Sequence, residues 1–192
     1  MNSLTHCWGI VRGEGEIVPL VWVTGNSGVG KSTVCTKLRD LGHEAFDADE
    51  DGYSHWIDRL TSLPVIDQPD PLPEGWLDDF GWQISREQVE ALRNHSPNRI
   101  VFLCGSAENE AEVRDLFDLI VCIVIDDEAL KNRLAARTTN DFGKNPEELE
   151  AALYWNPREE RIYRRLGATI LDGEQPITTV AQAVLRAAHL LL

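Results

Sequence analysis

The chain has 192 residues and a formal net charge of −14, with 32 acidic and 18 basic residues. This length is that of one ordinary domain, and the acidic balance argues against nucleic acid or an anionic membrane as partner, since both need a basic face. Four cysteines without C-x-x-C spacing and the lack of a long apolar run predict a cytoplasmic protein with reduced thiols.

The first half of the chain alternates between strand and helix patterns. Residues 1–17 are polar and contain glycine, and we expect a flexible leader there. Apolar β-formers predict strands over 19–24 and 43–47, followed by helices over 31–41 and 49–60. Prolines exclude regular helix between residues 61 and 81, and a helix capped by Ser85 is predicted over 83–95.

The second half continues this alternation. Strands are predicted over 99–104, 119–125 and 168–171, and the first two are continuous apolar runs typical of buried parallel strands. Helices are predicted over 128–137 with Asp126 as cap, 147–155, 158–166 and 177–192, and an acidic run over 108–112 predicts a solvated helix start. Residues 18–192 are therefore predicted to form a three-layer α/β domain with a parallel sheet, whose ligands bind at the carboxyl ends of the strands.

The segment between the first strand and the first helix matches the pattern G-x-x-x-x-G-K-[ST] at every fixed position. It reads Gly25-Asn26-Ser27-Gly28-Val29-Gly30-Lys31-Ser32-Thr33. In such a loop, backbone N–H groups turn onto phosphates, the lysine reaches the β- and γ-oxygens, and the hydroxyl after it ligates Mg²⁺. The alternative is a glycine-rich turn without a ligand. The flanking strand and helix favour a triphosphate bound at a helix N-terminus.

Two carboxylates, Asp47 and Asp49, follow the second predicted strand. In a parallel sheet, this strand end opens onto the same crevice as the phosphate loop. One carboxylate can hold Mg²⁺ through water, while the other orients or deprotonates an acceptor hydroxyl. Alternatively, Asp49 only caps the helix that follows.

Three basic residues surround a polar turn late in the chain: Arg133, Arg137 and Lys144. A mobile turn over 137–147 can close over a triphosphate and spread its developing charge over cationic donors. Alternatively, the arginines only complement the dipole of the helix at its C-terminus.

The chain resembles the small P-loop kinases of the shikimate kinase-like and nucleoside monophosphate kinase-like group. The resemblance rests on Asp47-x-Asp49, on the seven-residue separation of Arg137 and Lys144, and on residues 163–168 before the last strand. It implies a five-stranded parallel sheet, the cofactors ATP and Mg²⁺, and transfer of the γ-phosphoryl group to a nucleoside, nucleotide, sugar or shikimate-like acceptor. Lys31, Asp49 and Arg137 are then catalytic, Ser32 and Asp47 hold the metal, and Lys144 serves the lid.

The resemblance also places the acceptor pocket in residues 53–84. Tryptophans there, including Trp76 and Trp82, can stack on a ring while Arg59 pairs an anionic group. Alternatively, the tryptophans cover core beneath a proline-rich loop.

Two further positions are carried over as substrate-binding candidates. Gly105 stands where these kinases have a glycine triplet, and Arg158 is near their substrate-binding arginine. The Arg-Thr-Gly motif of shikimate kinases is replaced by Tyr53-Ser54-His55-Trp56, so the identity of the acceptor stays open. A monomer or homodimer is expected. A second function is also open, that of a nucleotide-sensing or ATP-hydrolysing protein without an acceptor.

Overall fold

The computed structural model describes residues 19–69, 72–95 and 99–191, so the predicted leader over 1–17 lies outside the described residues. The strands are β1 (Leu20–Thr24), β2 (Glu44–Asp47), β3 (Ser54–Asp58), β4 (Phe80–Ile84), β5 (Val101–Cys104), β6 (Leu119–Val124) and β7 (Thr169–Asp172). The helices are α1 (Lys31–Asp40), α2 (Trp76–Asp79), α3 (Arg86–His95), α4 (Glu110–Val113), α5 (Asp127–Ala136), α6 (Pro146–Arg165) and α7 (Ile177–His189).

The main sheet has five strands in the order β2-β5-β1-β6-β7, and every neighbouring pair is parallel. This confirms the predicted sheet. The central strand β1 is fully buried along its length, as expected for an apolar run covered on both faces. Its carboxyl end leads directly into the glycine-rich loop, so the fold delivers this loop to the middle of the sheet edge.

Alternate residues of β1 enter two separate cores. Val21 and Val23 pack in a cluster with residues of α1, α5, α6 and α7. Leu20 and Trp22 pack on the opposite face, with residues of α3 and the segment around Val113. Because side chains of a strand alternate between faces, these two cores make the three layers that the sequence predicts.

The segment between β2 and α3 differs from its prediction. The helix predicted over 49–60 is wrong, because β3 pairs there with β4 in an antiparallel hairpin that sets Trp56 opposite Trp82. Cross-strand pairing of aromatic residues stabilises extended backbone, and this partner lies far along the chain. The helix predicted from residue 83 begins at Arg86 because Ile84 completes β4, and the Ser85 hydroxyl accepts the N–H of Gln88 at 3.3 Å, as predicted for a cap.

The two helices predicted over 147–166 form one helix, α6, with Pro157 inside it. A proline removes one backbone hydrogen bond, but the buried side chains of Ala152, Asn156 and Tyr163 pack on both sides of it. Asp126 caps α5 as predicted, accepting the N–H of Ala129 at 2.7 Å.

The predictions about the cysteines and about membrane-crossing segments can be compared with the described residues. The cysteines there are buried thiols outside any disulfide. No described helix combines the length and the apolar character that crossing a membrane requires.

Candidate functional site

The loop between β1 and α1 has a backbone that only glycine can form. Gly25 has φ +135°, and a Cβ on it would lie 2.3 Å from the carbonyl oxygen of Ile123. Gly30 ends the loop at φ 106° and begins α1 without any side-chain cap. The N–H groups in the first turn of α1 are therefore available to an anionic ligand, at the positive end of the helix dipole.

Lys31 bridges the loop from within. Its Nζ donates hydrogen bonds of 2.9 Å to the carbonyl oxygens of Gly25 and Asn26. Burial lowers the pKa of Lys31, and the nearby carboxylates of Glu159 and Asp49 act in the opposite direction. The ammonium group thus lies inside the loop, at the position from which a lysine reaches phosphate oxygens.

The two predicted arginines contact the loop in different ways. Both Nη atoms of Arg137 lie 3.2 Å from the Ser27 hydroxyl, so its charge lies over the mouth of the loop. Arg133 donates to the carbonyl oxygens of Val29 at 2.9 Å and Gly173 at 2.8 Å, which ties the loop to the turn after β7. Arg137 is the better placed of the two to meet a phosphate.

Lys144 lies apart from this cluster in the structure. Its Nζ pairs with Asp141 at 2.6 Å, and the side chain is 43% exposed. The turn is held by other contacts, since Asn140 accepts a hydrogen bond from Arg137 at 2.9 Å. Contact between Lys144 and a triphosphate requires movement of this turn and stays a prediction.

Two carboxylates at the end of β2, Asp47 and Asp49, act electrostatically on Lys31. Asp47 is 3% exposed, and its Oδ1 accepts the N–H of Asp49 at 3.1 Å and of Glu50 at 3.3 Å. Asp49 in turn accepts the indole N–H of Trp82 at 3.0 Å. The segment that follows Asp49 is a turn leading to β3, so the helix that it might have capped is absent here.

The electrostatic surroundings of Asp49 are mixed. Its residue surface is exposed, yet loss of water around the carboxyl raises its pKa, and the charge of Asp47 adds to this effect. The hydrogen bond from Trp82 and the charge of Lys31 lower the pKa. Asp49 is therefore a carboxylate of increased basicity that acts electrostatically on both Lys31 and Arg137.

Three tryptophans contact one another near Asp49, Trp56 and Trp82 of the β3–β4 hairpin and Trp76 of α2. The ring of Trp56 meets Trp82 at 5.2 Å and Trp76 at 5.8 Å, both edge to face. Trp76 also stacks on Phe80 at 4.0 Å and is 9% exposed. Trp76 therefore covers core, the alternative that the sequence left open, while Trp82 reaches the crevice through its contact with Asp49.

The remaining predicted substrate residues have protein partners. Arg59 pairs with Glu108 beside the hairpin. Arg158 lies over the ring of Tyr154 at 3.5 Å. A Cβ on Gly105 would lie 2.3 Å from the Cβ of Ala48, so Gly105 lets β5 approach the turn that carries Asp47 and Asp49.

Sequence reasoning missed the inner face of α6. Its buried members recur at helical spacing and include Ala152, Asn156 and Tyr163. The Tyr163 hydroxyl lies 3.3 Å from the hydroxyl of Thr24, the last residue of β1. Glu159 lies on the same stripe, and its Oε2 is buried without a hydrogen-bond partner among the described residues. The spacing of polar residues at 156, 159 and 163 is the signal that could have shown this face.

The donor chemistry of the site suits a magnesium nucleotide. Ser32 presents a hydroxyl in the exposed first turn of α1, and Asp47 offers a carboxylate. Within the described ranges, no group of three or more His, Cys, Asp or Glu side chains could hold a metal ion by itself. The Ser32 hydroxyl and the Asp47 carboxylate fit Mg²⁺, which is usually bound by one or two carboxylates together with substrate phosphates.

Comparisons with known proteins give the fold a context. No protein-family model and no curated protein matches the chain. A shikimate kinase from Acinetobacter baumannii in complex with shikimate is similar at 18% identity and a TM-score of 0.57, over 88% of this chain and 92% of that one. A gluconokinase from Sinorhizobium meliloti 1021 is similar at 20% identity and a TM-score of 0.50, over 91% and 94%.

A third structure, a deoxyadenosine kinase from M. mycoides with bound dATP, is similar at 12% identity and a TM-score of 0.53, over 88% of this chain and 99% of that one. These likenesses show that the chain has the fold of the small P-loop kinases, in agreement with the resemblance drawn from the sequence.

Proposed function

We propose that this chain is a phosphotransferase that moves the γ-phosphoryl group of Mg-ATP to a hydroxyl of a small metabolite. The observation that carries the proposal is Asp49, a carboxylate of raised pKa placed between the loop lysine and the hairpin. Binding of a nucleotide alone needs the loop and no such base. The shared fold with a shikimate kinase and a gluconokinase supports a small-molecule acceptor.

In this reaction, the acceptor oxygen attacks the γ-phosphorus as its proton passes to Asp49. The bond between the γ-phosphorus and the bridging oxygen breaks, and its electron pair leaves on ADP. Lys31 and Arg137 stabilise the charge that develops on the phosphoryl and leaving oxygens. A base acts best when its pKa is near the working pH, and the surroundings of Asp49 shift its pKa in that direction.

Ser32 and Asp47 are the residues that would hold Mg²⁺, which in such sites neutralises charge on the β- and γ-oxygens. Asp47 is buried and accepts two backbone N–H groups through Oδ1, so its orientation is fixed before any ligand arrives. The two carboxylates therefore have different roles in the proposed reaction. Asp47 is rigid, whereas Asp49 is open to an acceptor.

The first test is ADP release from Mg-ATP across a panel of nucleosides, nucleotides, sugars and cyclic polyols. Stimulation by one class of acceptor is the expected result. Lys31→Ala should abolish this stimulated release, because the loop loses the ammonium group that would reach the β- and γ-phosphate oxygens, while Lys37→Ala, at the other end of α1, should retain it. Intact ATP binding without stimulation by any acceptor would favour the nucleotide-sensing or ATP-hydrolysing function.

A further inference from the structure

One acidic side chain of the crevice has no partner assigned by the proposed transfer. Glu159 lies on α6 between residues that fasten this helix to the loop and the sheet. Before it, the carbonyl of Ala152 accepts the side-chain N–H of Asn26 at 2.7 Å. After it, the hydroxyl of Tyr163 meets Thr24 at 3.3 Å. Glu159 is therefore held against the loop by contacts on both sides of it in sequence.

One oxygen of the Glu159 carboxylate, Oε2, is buried without a hydrogen-bond donor among the described residues. Burial raises the pKa of Glu159 to about 7, and the charge of Lys31 opposes this rise. A buried carboxylate oxygen without a donor is unfavourable, so we expect it to meet a hydrogen-bond donor on a ligand.

The candidate basic side chains already have partners within the protein. Lys31 and Arg137 contact the phosphate loop. Arg59 pairs with Glu108, and the guanidinium of Arg158 lies over Tyr154. An anionic group on the acceptor thus has no unpaired arginine among these candidates to meet it.

Besides Asp47, two carboxylates remain in the electrostatic surroundings of Lys31. Asp49 lies beside the hairpin, and Glu159 lies on α6, and both act electrostatically on Lys31. Such a pair repels an acidic acceptor and attracts a basic one. Once Lys31 engages phosphate, the need of Glu159 for a positive donor increases.

On the basis of the proposed transfer, we propose that the acceptor is an alcohol that carries a positively charged amino group, and that Glu159 binds this amino group. An ammonium group supplies hydrogen-bond donors and a charge to the enclosed carboxylate at once. The hydroxyl of the same molecule is then presented to Asp49. Glu159 is in this view a specificity-determining residue that takes no part in proton transfer.

The binding test uses three molecules that share one hydroxymethyl group: ethanolamine, ethylene glycol and glycolate. Titration of the Glu159 carboxyl carbon is followed by NMR in the full chain with Mg-ADP, and the signal is assigned by its loss in Glu159→Gln. Ethanolamine should move the midpoint of the titration to lower pH, since a bound ammonium favours the ionised carboxylate. Equal midpoints with all three molecules, or a shift by glycolate alone, would overturn the proposal.

The activity test uses three six-carbon polyols that differ at one carbon: glucamine, sorbitol and gluconate. We expect kcat/KM to fall in that order, by about tenfold or more from first to last. Glu159→Gln should remove the preference for glucamine over sorbitol. Glu160→Gln, whose carboxylate pairs with Arg164 on the outer face of α6, should keep it.

The two tests separate this proposal from the proposed transfer. Phosphorylation of gluconate or sorbitol in preference to glucamine would leave the transfer standing and overturn the role of Glu159. A midpoint shift with ethanolamine, but no ADP release with any polyol, would support the role of Glu159 and count against transfer. Equal midpoints and no ADP release would count against both.

Discussion

The two walls of the crevice are made from different parts of the chain. The nucleotide wall, residues 25–33, is mainly backbone, shaped by glycines and the N-terminus of α1. The proposed acceptor wall consists of side chains on separate elements, namely Asp49 after β2, Trp82 on β4 and Glu159 on α6. The first wall carries a lysine at its centre, whereas the second carries carboxylates.

This difference separates what the fold shares from what is particular to the chain. Backbone N–H groups bind phosphate whatever the neighbouring side chains are, so the same loop serves many proteins. In the proposed function, side chains such as Asp49 and Glu159 would discriminate between acceptors by charge and hydrogen bonding. Identity of the acceptor must therefore be sought in the second wall, and changes there should leave nucleotide binding intact.

The largest expected effect comes from Asp49→Asn. Loss of the base should lower kcat by about 10²- to 10³-fold, while the ATP dissociation constant should stay near that of the wild type. Single-turnover transfer and calorimetric ATP titration measure the two quantities, with Glu50→Gln as the neighbouring control. A parallel loss of ATP affinity would show that the walls do not work separately.

A smaller effect is expected on stability from Glu159→Gln. The folded chain holds the pKa of Glu159 at about 7, against 4.5 for an ordinary glutamate, so the folded state binds the extra proton and its stability falls as pH rises between these values. At about 1.4 kcal/mol per pH unit, the variant should be more stable than the wild type by about 3–4 kcal/mol at alkaline pH.

The two chains should have similar stability at acidic pH, below the ordinary value for a glutamate. Urea unfolding at both ends of this range checks the prediction, with Glu160→Gln as control. A constant difference at all pH values would contradict it. The expected result would mean that the acceptor wall is maintained at the expense of stability, as is common at functional sites.

The smallest effect is expected from Trp82→Phe. The indole N–H lowers the pKa of Asp49, so its removal raises that pKa further and moves the acid limb of the kcat profile to higher pH. At neutral pH the rate should fall only a few-fold.

The matched control for this change is Trp56→Phe, in the same ring cluster. Its profile should keep the position of the acid limb. An identical shift in both variants would mean that the rings act through packing rather than through the hydrogen bond to Asp49.

Sequence patterns predicted the main sheet and the loop because both depend on local signals. The buried strands are continuous apolar runs, and the glycines of the loop occupy fixed spacings. The β3–β4 hairpin escaped prediction because its stability comes from pairs such as Trp56 and Trp82, which are distant in sequence. Taken alone, β3 and β4 are each a short segment of mixed polarity.

The candidate site was likewise predictable only where local sequence signals mark it. Lys31 and the carboxylates after β2 follow from motif and topology, whereas Glu159 resembles any other charge on a long helix. Adjacent helical residues point about 100° apart, so Arg158 contacts Tyr154 while its neighbour turns inward. The spacing of Glu159 from Asn156 and Tyr163 does distinguish the two, but this spacing is informative only once the buried face of α6 is known.

The contacts of Lys31 with Gly25 and Asn26 have a consequence for how a nucleotide enters. The ammonium donates to two carbonyl oxygens of the loop itself. In the proposed function, binding of a triphosphate would therefore exchange partners within a loop that is already ordered, with little conformational entropy lost from the loop. The association rate of a nucleotide should then be governed by diffusion and by release of these two bonds, and hardly by folding of the loop around it.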